Sequence, residues 1–175
     1  VRTPVGTVLH TGDYKLDQTP IDGRFTDYAG FARAAKQGVT LMLGDSTGAE
    51  SPGHTPSEAE VGASLRTIFA RAEQRIIVAS FASHVPRVQQ VCDAAVANGR
   101  KVVVTGRSMV NITRIARELG YLHIDDDDII DAYSMGKMPP EQVVVLCTGS
   151  QGEPLSALAR IANGEHKTVQ IEPGD

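Results

Sequence analysis

Short apolar runs alternate with amphipathic stretches along most of this chain. The runs are rich in Val, Ile and Leu and have strand length, which is typical of a buried parallel sheet. They predict strands at residues 5–10, 39–43, 75–80, 101–105 and 143–147, with a last strand at 168–171. Apolar residues at helical spacing predict helices at residues 28–36, 85–97, 109–119 and 155–162.

A further helix is predicted from a start signal. Thr55 would be its N-cap, Pro56 its first residue, and Glu58 would complete a capping box. Five apolar side chains would share its buried face: Val61, Leu65, Ile68, Phe69 and Ala72. From this helix onward, helices and strands alternate, which predicts an α/β fold with a doubly wound, mostly parallel sheet.

Two predicted strands end in a glycine followed by an aspartate. The first leads into Asp13 and the second into Asp45. Loops at strand ends hold side chains over a rigid sheet, so these positions favour chemistry. Asp13 could be a metal ligand, a general base or a turn residue, and the pattern leaves these alternatives open.

Three later strand exits combine small residues with hydroxyls: Ser80-Phe81-Ala82-Ser83, Thr105-Gly106-Arg107-Ser108 and Thr148-Gly149-Ser150-Gln151-Gly152-Glu153. In a parallel sheet they would lie along one edge, where hydroxyls and helix N-termini form anion sites. Arg107 could bind a phosphate and Phe81 could stack on a base. Together the loops predict a phosphorylated, nucleotide-like ligand, although each loop alone fits ordinary turns and helix caps.

Composition narrows the class of protein. The net charge of −4 argues against nonspecific duplex binding through bulk charge, but leaves room for a local basic groove. Cys92 and Cys147 lie in apolar runs and are predicted to be buried free thiols. The four aspartates at 125–128 predict a solvated loop. No apolar run has the ~20 residues of a membrane span and no signal peptide is visible, so we expect a cytoplasmic protein without a membrane partner.

Five stretches, taken in order, resemble the ribonuclease J family, of the β-CASP branch of the metallo-β-lactamase superfamily: Thr11-Gly12-Asp13-Tyr14-Lys15, Gly44-Asp45-Ser46-Thr47-Gly48-Ala49-Glu50, residues 79–90, Gly106-Arg107-Ser108-Met109 and Thr148-Gly149-Ser150-Gln151-Gly152-Glu153-Pro154. The resemblance covers nearly the whole chain. It implies that residues 1–43 end a metallo-β-lactamase half-domain, and that residues 44–175 form most of a β-CASP domain.

The resemblance also implies an activity and a set of roles. The family hydrolyses RNA phosphodiesters as a 5′-to-3′ exonuclease and an endonuclease in bacterial RNA maturation and decay. It uses two metal ions, normally zinc, with other divalent metals as alternatives. Asp13 resembles the metal-bridging aspartate, and Asp45 resembles the first β-CASP motif acid, which acts at the scissile phosphate.

The strand-exit loops resemble the family's RNA channel and 5′-phosphate pocket. The expected contacts are made by Ser80, Phe81, Ser83, His84, Arg107, Ser108, Thr148, Gly149, Ser150, Gln151 and Glu153. For His84 the sequence favours a helix N-terminus or a groove position. The implied partner is RNA, preferably a 5′-monophosphorylated single strand, and the implied full-length protein is a homodimer or tetramer.

Two other functions stay open. A non-catalytic nucleotide- or RNA-binding α/β module would explain the loops and leave Asp13 and Asp45 as turn residues. A sugar-phosphate or glycosyl transfer domain of the doubly wound type is the third alternative. An H-x-H-x-D-H run upstream of Val1 would favour the enzyme over the binding module.

The resemblance places the H-x-H-x-D-H ligands before Val1 and a further histidine ligand after Asp175. We therefore expect the isolated 175-residue piece to bind zinc weakly and to show no nuclease activity. The check is an RNA cleavage assay with the purified piece and added zinc. Clear metal-dependent cleavage would contradict the expectation.

Overall fold

The computed structural model describes residues 1–175, which divide into two compact units, Val1–Glu60 and Val61–Asp175. The division at Leu43 that the sequence predicts concerns the domain families and stays a prediction. No helix in the structure is long and apolar enough to cross a membrane.

The first unit contains a three-stranded sheet and one complete helix. Its elements are β1 (Arg2–Thr3), β2 (Gly6–His10), α1 (Tyr28–Gln37) and β3 (Leu41–Leu43). β1 pairs antiparallel with β2, and β2 pairs parallel with β3, with His10 opposite Leu43. The carboxyl ends of β2 and β3 therefore leave the same edge of the sheet.

β3 corrects one expectation. Its apolar run predicts a buried strand, yet Leu41, Met42 and Leu43 are 49%, 60% and 45% exposed. No apolar side chain of Val1–Glu60 is buried, and α1 has no buried residue. The apolar residues of this run suit a buried sheet face, but within Val1–Glu60 nothing buries them.

The second unit carries the main core around a parallel sheet. The division between the units falls within α2, and the elements from there are α2 (Glu58–Arg71), β4 (Ile76–Ala79), α3 (Val85–Ala97), β5 (Lys101–Val104), α4 (Arg107–Glu118), β6 (Ile129–Ile130), α5 (Ala132–Met135), β7 (Val143–Cys147) and α6 (Ala157–Ala162). The strand order is β4-β7-β5-β6, and every neighbouring pair is parallel.

β7 shows why the sheet is wound on both sides. Its residues alternate between two clusters, because successive strand side chains point to opposite faces. Val144 and Leu146 pack with side chains of α2, α3 and α4, whereas Val145 and Cys147 pack with side chains of α5 and α6. Helices thus cover both faces, which confirms the predicted doubly wound α/β class.

The last predicted strand is wrong. Residues 168–171 pair with no strand, although Val169 is fully buried. Side chains satisfy this segment's backbone instead, because His166 Nδ1 accepts the N–H of Val169 at 3.2 Å and Arg75 donates to the carbonyl of Gln170 at 2.6 Å. An apolar side chain in the core does not require a strand ladder around it.

The predicted start of α2 is also wrong. The helix begins at Glu58, so Thr55 is not its N-cap. Ser57 Oγ accepts the N–H of Ala59 at 3.2 Å, and the Asp17 carboxylate accepts the N–H of Glu58 at 2.8 Å. A distant carboxylate therefore replaces the predicted capping box, and the pKa of Asp17 is lowered by that backbone hydrogen bond above all.

Three other expectations concern single residues and a charged run. Cys92 and Cys147 are free and buried as predicted, and burial raises the pKa of their thiols to about 12 and about 11. The acidic run forms a short 3-10 turn, Asp126–Asp128, in which Asp128 pairs with Lys101 at 2.8 Å. That run is mostly solvated, as predicted.

Candidate functional site

Two acidic residues share the sheet edge of the first unit. Asp13 follows β2 by three residues, and Asp45 follows β3 by two. Thr11 ties the two strand exits together, because its backbone N–H donates to the carbonyl of Leu43 at 3.1 Å and its Oγ1 accepts the N–H of Asp45 at 2.9 Å. The parallel pairing thus places both acids on one edge of the sheet.

Asp45 is held by the backbone around it. Its carboxylate accepts the N–H of Thr47 at 2.9 Å. This bond is the main cause that lowers the pKa of Asp45, and the backbone N–H of Tyr14 adds to it. Asp45 is therefore a half-buried, ionised acceptor, while Asp13 is exposed at the same edge.

The acidic edge does not by itself make a metal centre. No three His, Cys, Asp or Glu side chains of this chain are grouped so that they could hold an ion. His10 points its Nδ1 back to accept the N–H of Gly12 at 2.9 Å. A zinc site needs three or four protein ligands, so the residues present do not fit a complete one, and Asp13 offers a single carboxylate.

The stretch from Gly44 to Gly48 has the spacing G-x-S-x-G, which in other proteins can mark a nucleophilic serine. That motif needs a sharp turn from a strand directly into a helix. Here a turn follows, with the N–H of Ala49 donating to the carbonyl of Ser46 at 3.0 Å, and the next helix begins only at Glu58. The local structure therefore gives Ser46 no nucleophile geometry.

The second unit has a cleft where the three predicted loops meet. Its volume is about 320 Å³. It lies past the carboxyl ends of β4, β7 and β5, which are neighbours in the sheet. Its lining comes from all three exits: Ser80, Phe81, Ala82, Ser108, Thr148, Gly149, Glu153, Leu155 and Ser156.

The N-terminus of α4 borders this cleft through Ser108. Gly106 precedes the helix, and no side chain caps its first N–H groups. In contrast, His84 caps α3 and Ser156 caps α6. The α4 N-terminus therefore combines free donors with the positive end of a helix dipole, which favours an anion.

The prediction that Arg107 and Ser108 lie in a loop is wrong. They form the first turn of α4 and not a loop before it, because the helix begins two residues earlier than predicted. Ser108 reaches the cleft, whereas Arg107 is exposed and does not line it. The positively charged Arg107 thus lies beside the cleft, at the N-terminus of α4.

Four other predicted contacts also lie outside the lining. Ser83, Ser150 and Gln151 are exposed, and His84 is the N-cap of α3, where its Nδ1 accepts the N–H of Arg87 at 3.3 Å. The helix N-terminal position of His84 is therefore as expected. Of the eleven predicted loop contacts, the lining includes Ser80, Phe81, Ser108, Thr148, Gly149 and Glu153.

Comparison with known proteins identifies the family of this chain. A family model described as the β-CASP domain of ribonuclease J matches residues 73–175, which is more than half of the chain and includes the whole cleft. The chain belongs to this family.

Relatives match over the chain's full length. Identity is 55% with "Ribonuclease J" of Mycolicibacterium smegmatis and 48% with "Ribonuclease J" of Thermus thermophilus, over 175 residues in both cases. It is 42% over 174 residues with "Ribonuclease J2" of Bacillus subtilis. The matches cover 100%, 100% and 99% of this chain, but only 31%, 30% and 31% of those proteins. The chain thus spans under a third of each.

The contacts predicted from the sequence omit Ala82, Leu155 and Ser156 in the cleft of this β-CASP domain. Ser156 had a usable signal, since a serine directly before an amphipathic run favours an N-cap. Its Oγ accepts the N–H of Ala159 at 3.2 Å. Leu155 is 91% exposed, and no sequence signal separates it from an ordinary surface residue.

Gly149 shapes the floor of the cleft. Its φ is +123°, and a Cβ there would lie 2.5 Å from Ser156 Oγ and 2.7 Å from Leu158 Cβ. The backbone just after β7 can therefore approach α6 closely only because residue 149 has no side chain. The N–H of Leu158 uses this approach to donate to the Thr148 carbonyl at 2.9 Å.

We expect Gly149→Ala to lower the free energy of unfolding by roughly 2–4 kcal/mol, from left-handed strain and overpacking together. Gly152→Ala is the matched control, because Gly152 also has positive φ (+71°) but has nothing within 4 Å of a Cβ. It should cost about 1 kcal/mol. Urea denaturation measures both values, and equal losses would show that the contact with α6 is unimportant.

Proposed function

We propose that this chain is part of a metal-dependent ribonuclease that hydrolyses RNA phosphodiesters, and that its cleft holds the RNA. The observation that carries the proposal is the cleft at three strand exits, with an uncapped α4 N-terminus on its border. The matched relatives are named ribonucleases, and the match includes the cleft and both acidic residues. The activity belongs to the full-length protein, of which these residues are one part.

Within the cleft, the α4 end is the place for a phosphate. Backbone N–H groups of the first turn and the hydroxyl of Ser108 offer donors, and Arg107 adds a positive charge nearby. Phe81 is 50% exposed in the lining, so its ring can stack on a base. A 5′-monophosphorylated single strand fits this arrangement of an anion site beside an aromatic face.

Glu153 limits where the phosphate can lie. Glu153 lines the cleft, and its carboxylate accepts the N–H of Gln151 at 3.3 Å. A carboxylate repels a phosphate, because both groups carry negative charge. We therefore assign the phosphate to the α4 side and give Glu153 the role of ordering its own loop. Ser83, His84, Ser150 and Gln151 would contact RNA only beyond the cleft.

In the same proposal the two acidic residues have different roles. Exposed Asp13 would be one metal ligand, and the remaining ligands would come from parts of the full-length protein outside these residues. Two zinc ions, or other divalent metals, would act there as Lewis acids. Ionised Asp45, fixed by backbone N–H groups, would partner a histidine from a later part of the full-length protein at the scissile phosphate.

The proposal extends to the setting of the full-length protein. We propose that it works in the cytoplasm in bacterial RNA maturation and decay, as both a 5′-to-3′ exonuclease and an endonuclease. We also propose that it assembles as a homodimer or tetramer. Each of these statements rests on the family resemblance alone.

One observation favours a second candidate, a non-catalytic RNA-binding module. Three strand exits of this chain line the cleft, whereas no three metal-ligating side chains are grouped at the acidic edge. A protein that kept the cleft and used Asp13 only in a turn would bind RNA without cleaving it. RNA cleavage by the unsubstituted full-length protein separates the two candidates, and substitution of Asp13 then tests its role as a ligand.

In the full-length protein, Asp13→Ala should reduce RNA cleavage at least about a thousandfold, because a lost ligand removes several kcal/mol of metal stabilisation. The fold should persist, since Asp13 is exposed. Cleavage is measured at saturating zinc, with circular dichroism for folding. The control is Asp22→Ala, another exposed aspartate of the same unit. Full activity of Asp13→Ala would exclude it as a ligand, whereas an unsubstituted protein that binds RNA without cleaving it would favour the binding module.

Arg107→Ala should weaken RNA binding more at low salt than at high salt, if Arg107 neutralises one phosphate. The slope of log affinity against log salt should fall by about 0.7 for a single strand. Arg114→Ala is the matched control on the same helix, where Arg114 is exposed and paired with Glu118 at 2.7 Å. Fluorescence anisotropy gives the affinities, and a loss independent of salt would indicate misfolding.

A further inference from the structure

A histidine outside the cleft is bonded to the exit of β5. His166 Nε2 lies 2.9 Å from Thr105 Oγ1, a contact between residues 61 positions apart. Thr105 directly follows β5 and precedes Gly106 and the first turn of α4. His166 lies beyond the end of α6, in a segment that the cleft does not include.

The surroundings of the ring decide where its proton lies. Nδ1 accepts the backbone N–H of Val169 at 3.2 Å and faces the N–H of Thr168 at 3.4 Å. A backbone N–H can only donate, so Nδ1 carries no proton and the proton of the neutral ring is on Nε2. Nε2 therefore donates to Thr105 Oγ1. Burial, and then the Arg160 guanidinium, lower the pKa of His166 and keep the ring neutral.

Together with a backbone bond, this bond connects the segment around α6 to two of the strand exits that line the cleft. At one end of α6, the N–H of Leu158 donates to the Thr148 carbonyl at 2.9 Å, which fixes the β7 exit. After the other end, the N–H of His166 donates to the Arg160 carbonyl at 3.0 Å, and the His166 ring holds the β5 exit. The α6 segment thus fixes two of the three strand exits that line the cleft.

One backbone bond also fixes the start of the β5 exit, because the N–H of Thr105 donates to the carbonyl of Leu146 in β7 at 2.9 Å. Gly106 has a φ of +91°, and a Cβ there would lie 3.0 Å from Thr148 Oγ1. The chain turns at this glycine into a helix end that no side chain caps. A donor fixed on Thr105 therefore constrains the residue directly before the turn.

We propose that His166 is a positioning residue for RNA binding: through its Nε2–H bond to Thr105 it orients the first turn of α4 toward the phosphate in the cleft. The inference rests on the proposed function, because it assumes that the cleft binds RNA. His166 itself lies outside the cleft lining and acts through Thr105.

Two substitutions of His166 separate its two bonds. His166→Asn keeps an acceptor near the Nδ1 position for Val169 and removes the donor to Thr105. His166→Gln places an amide near the Nε2 position and gives up the bond to Val169. Thr105→Val removes the hydroxyl, and His123→Asn is a control at an exposed histidine of the same unit.

In the full-length protein, with the dissociation constant of a 5′-monophosphorylated RNA oligonucleotide as the readout, His166→Asn and Thr105→Val should each weaken binding about two- to tenfold. The double variant should be no weaker than either single variant. His166→Gln should bind RNA better than His166→Asn while melting at a lower temperature. A merely structural histidine would instead make binding follow melting temperature.

The ¹⁵N NMR signals of the imidazole test the proton position without RNA. We expect an unprotonated Nδ1 and a protonated Nε2 at pH 7, and the reverse tautomer would overturn the inference. Unchanged RNA binding in His166→Asn and Thr105→Val would overturn it while leaving the proposed function intact. If the unsubstituted protein does not bind the oligonucleotide, the proposed function and this inference fail together.

Discussion

The burial of β7 is the constraint on which the second unit depends. All five of its residues are buried, and neighbouring strands pair with both of its edges. Each fully buried valine or leucine contributes on the order of 1.5–3 kcal/mol, so this strand is the most costly place to disturb the fold. Its central position brings Thr148 and Gly149 between the exits of β4 and β5. The cleft is therefore a consequence of strand order.

The polar groups around the cleft follow from the same geometry. Parallel strands bring helix N-termini to one edge, and the chain caps two of them with His84 and Ser156. The N-cap of α4 is Gly106, which has no side chain to cap the helix, so the first backbone N–H groups of α4 stay available. A glycine thus does two things there: it permits the turn beside Thr148, and it withholds the side chain that would otherwise occupy the anion position.

The two units are stabilised very differently. Val61–Asp175 has two apolar clusters, one on each face of its sheet. Val1–Glu60 has none, and its order depends on polar contacts such as the bonds from Thr11 and the Asp17 carboxylate. A small sheet without a covered face has little stability of its own. Within this chain, the unit that carries the acidic edge therefore has less apolar stabilisation than the unit that carries the cleft.

Local pattern determined which segments of this chain are helices or strands in most cases, since apolar runs and helical spacing act over a few residues. It also located both strand-end acids and all three exits of the cleft. Tertiary structure decided what depends on distant partners. It placed β7 between β4 and β5 and left residues 168–171 without a strand partner. It also brought the Asp17 carboxylate to the N–H of Glu58 at the start of α2, and His166 to the hydroxyl of Thr105. Such contacts join residues tens of positions apart, so a pattern that acts over a few residues does not contain them.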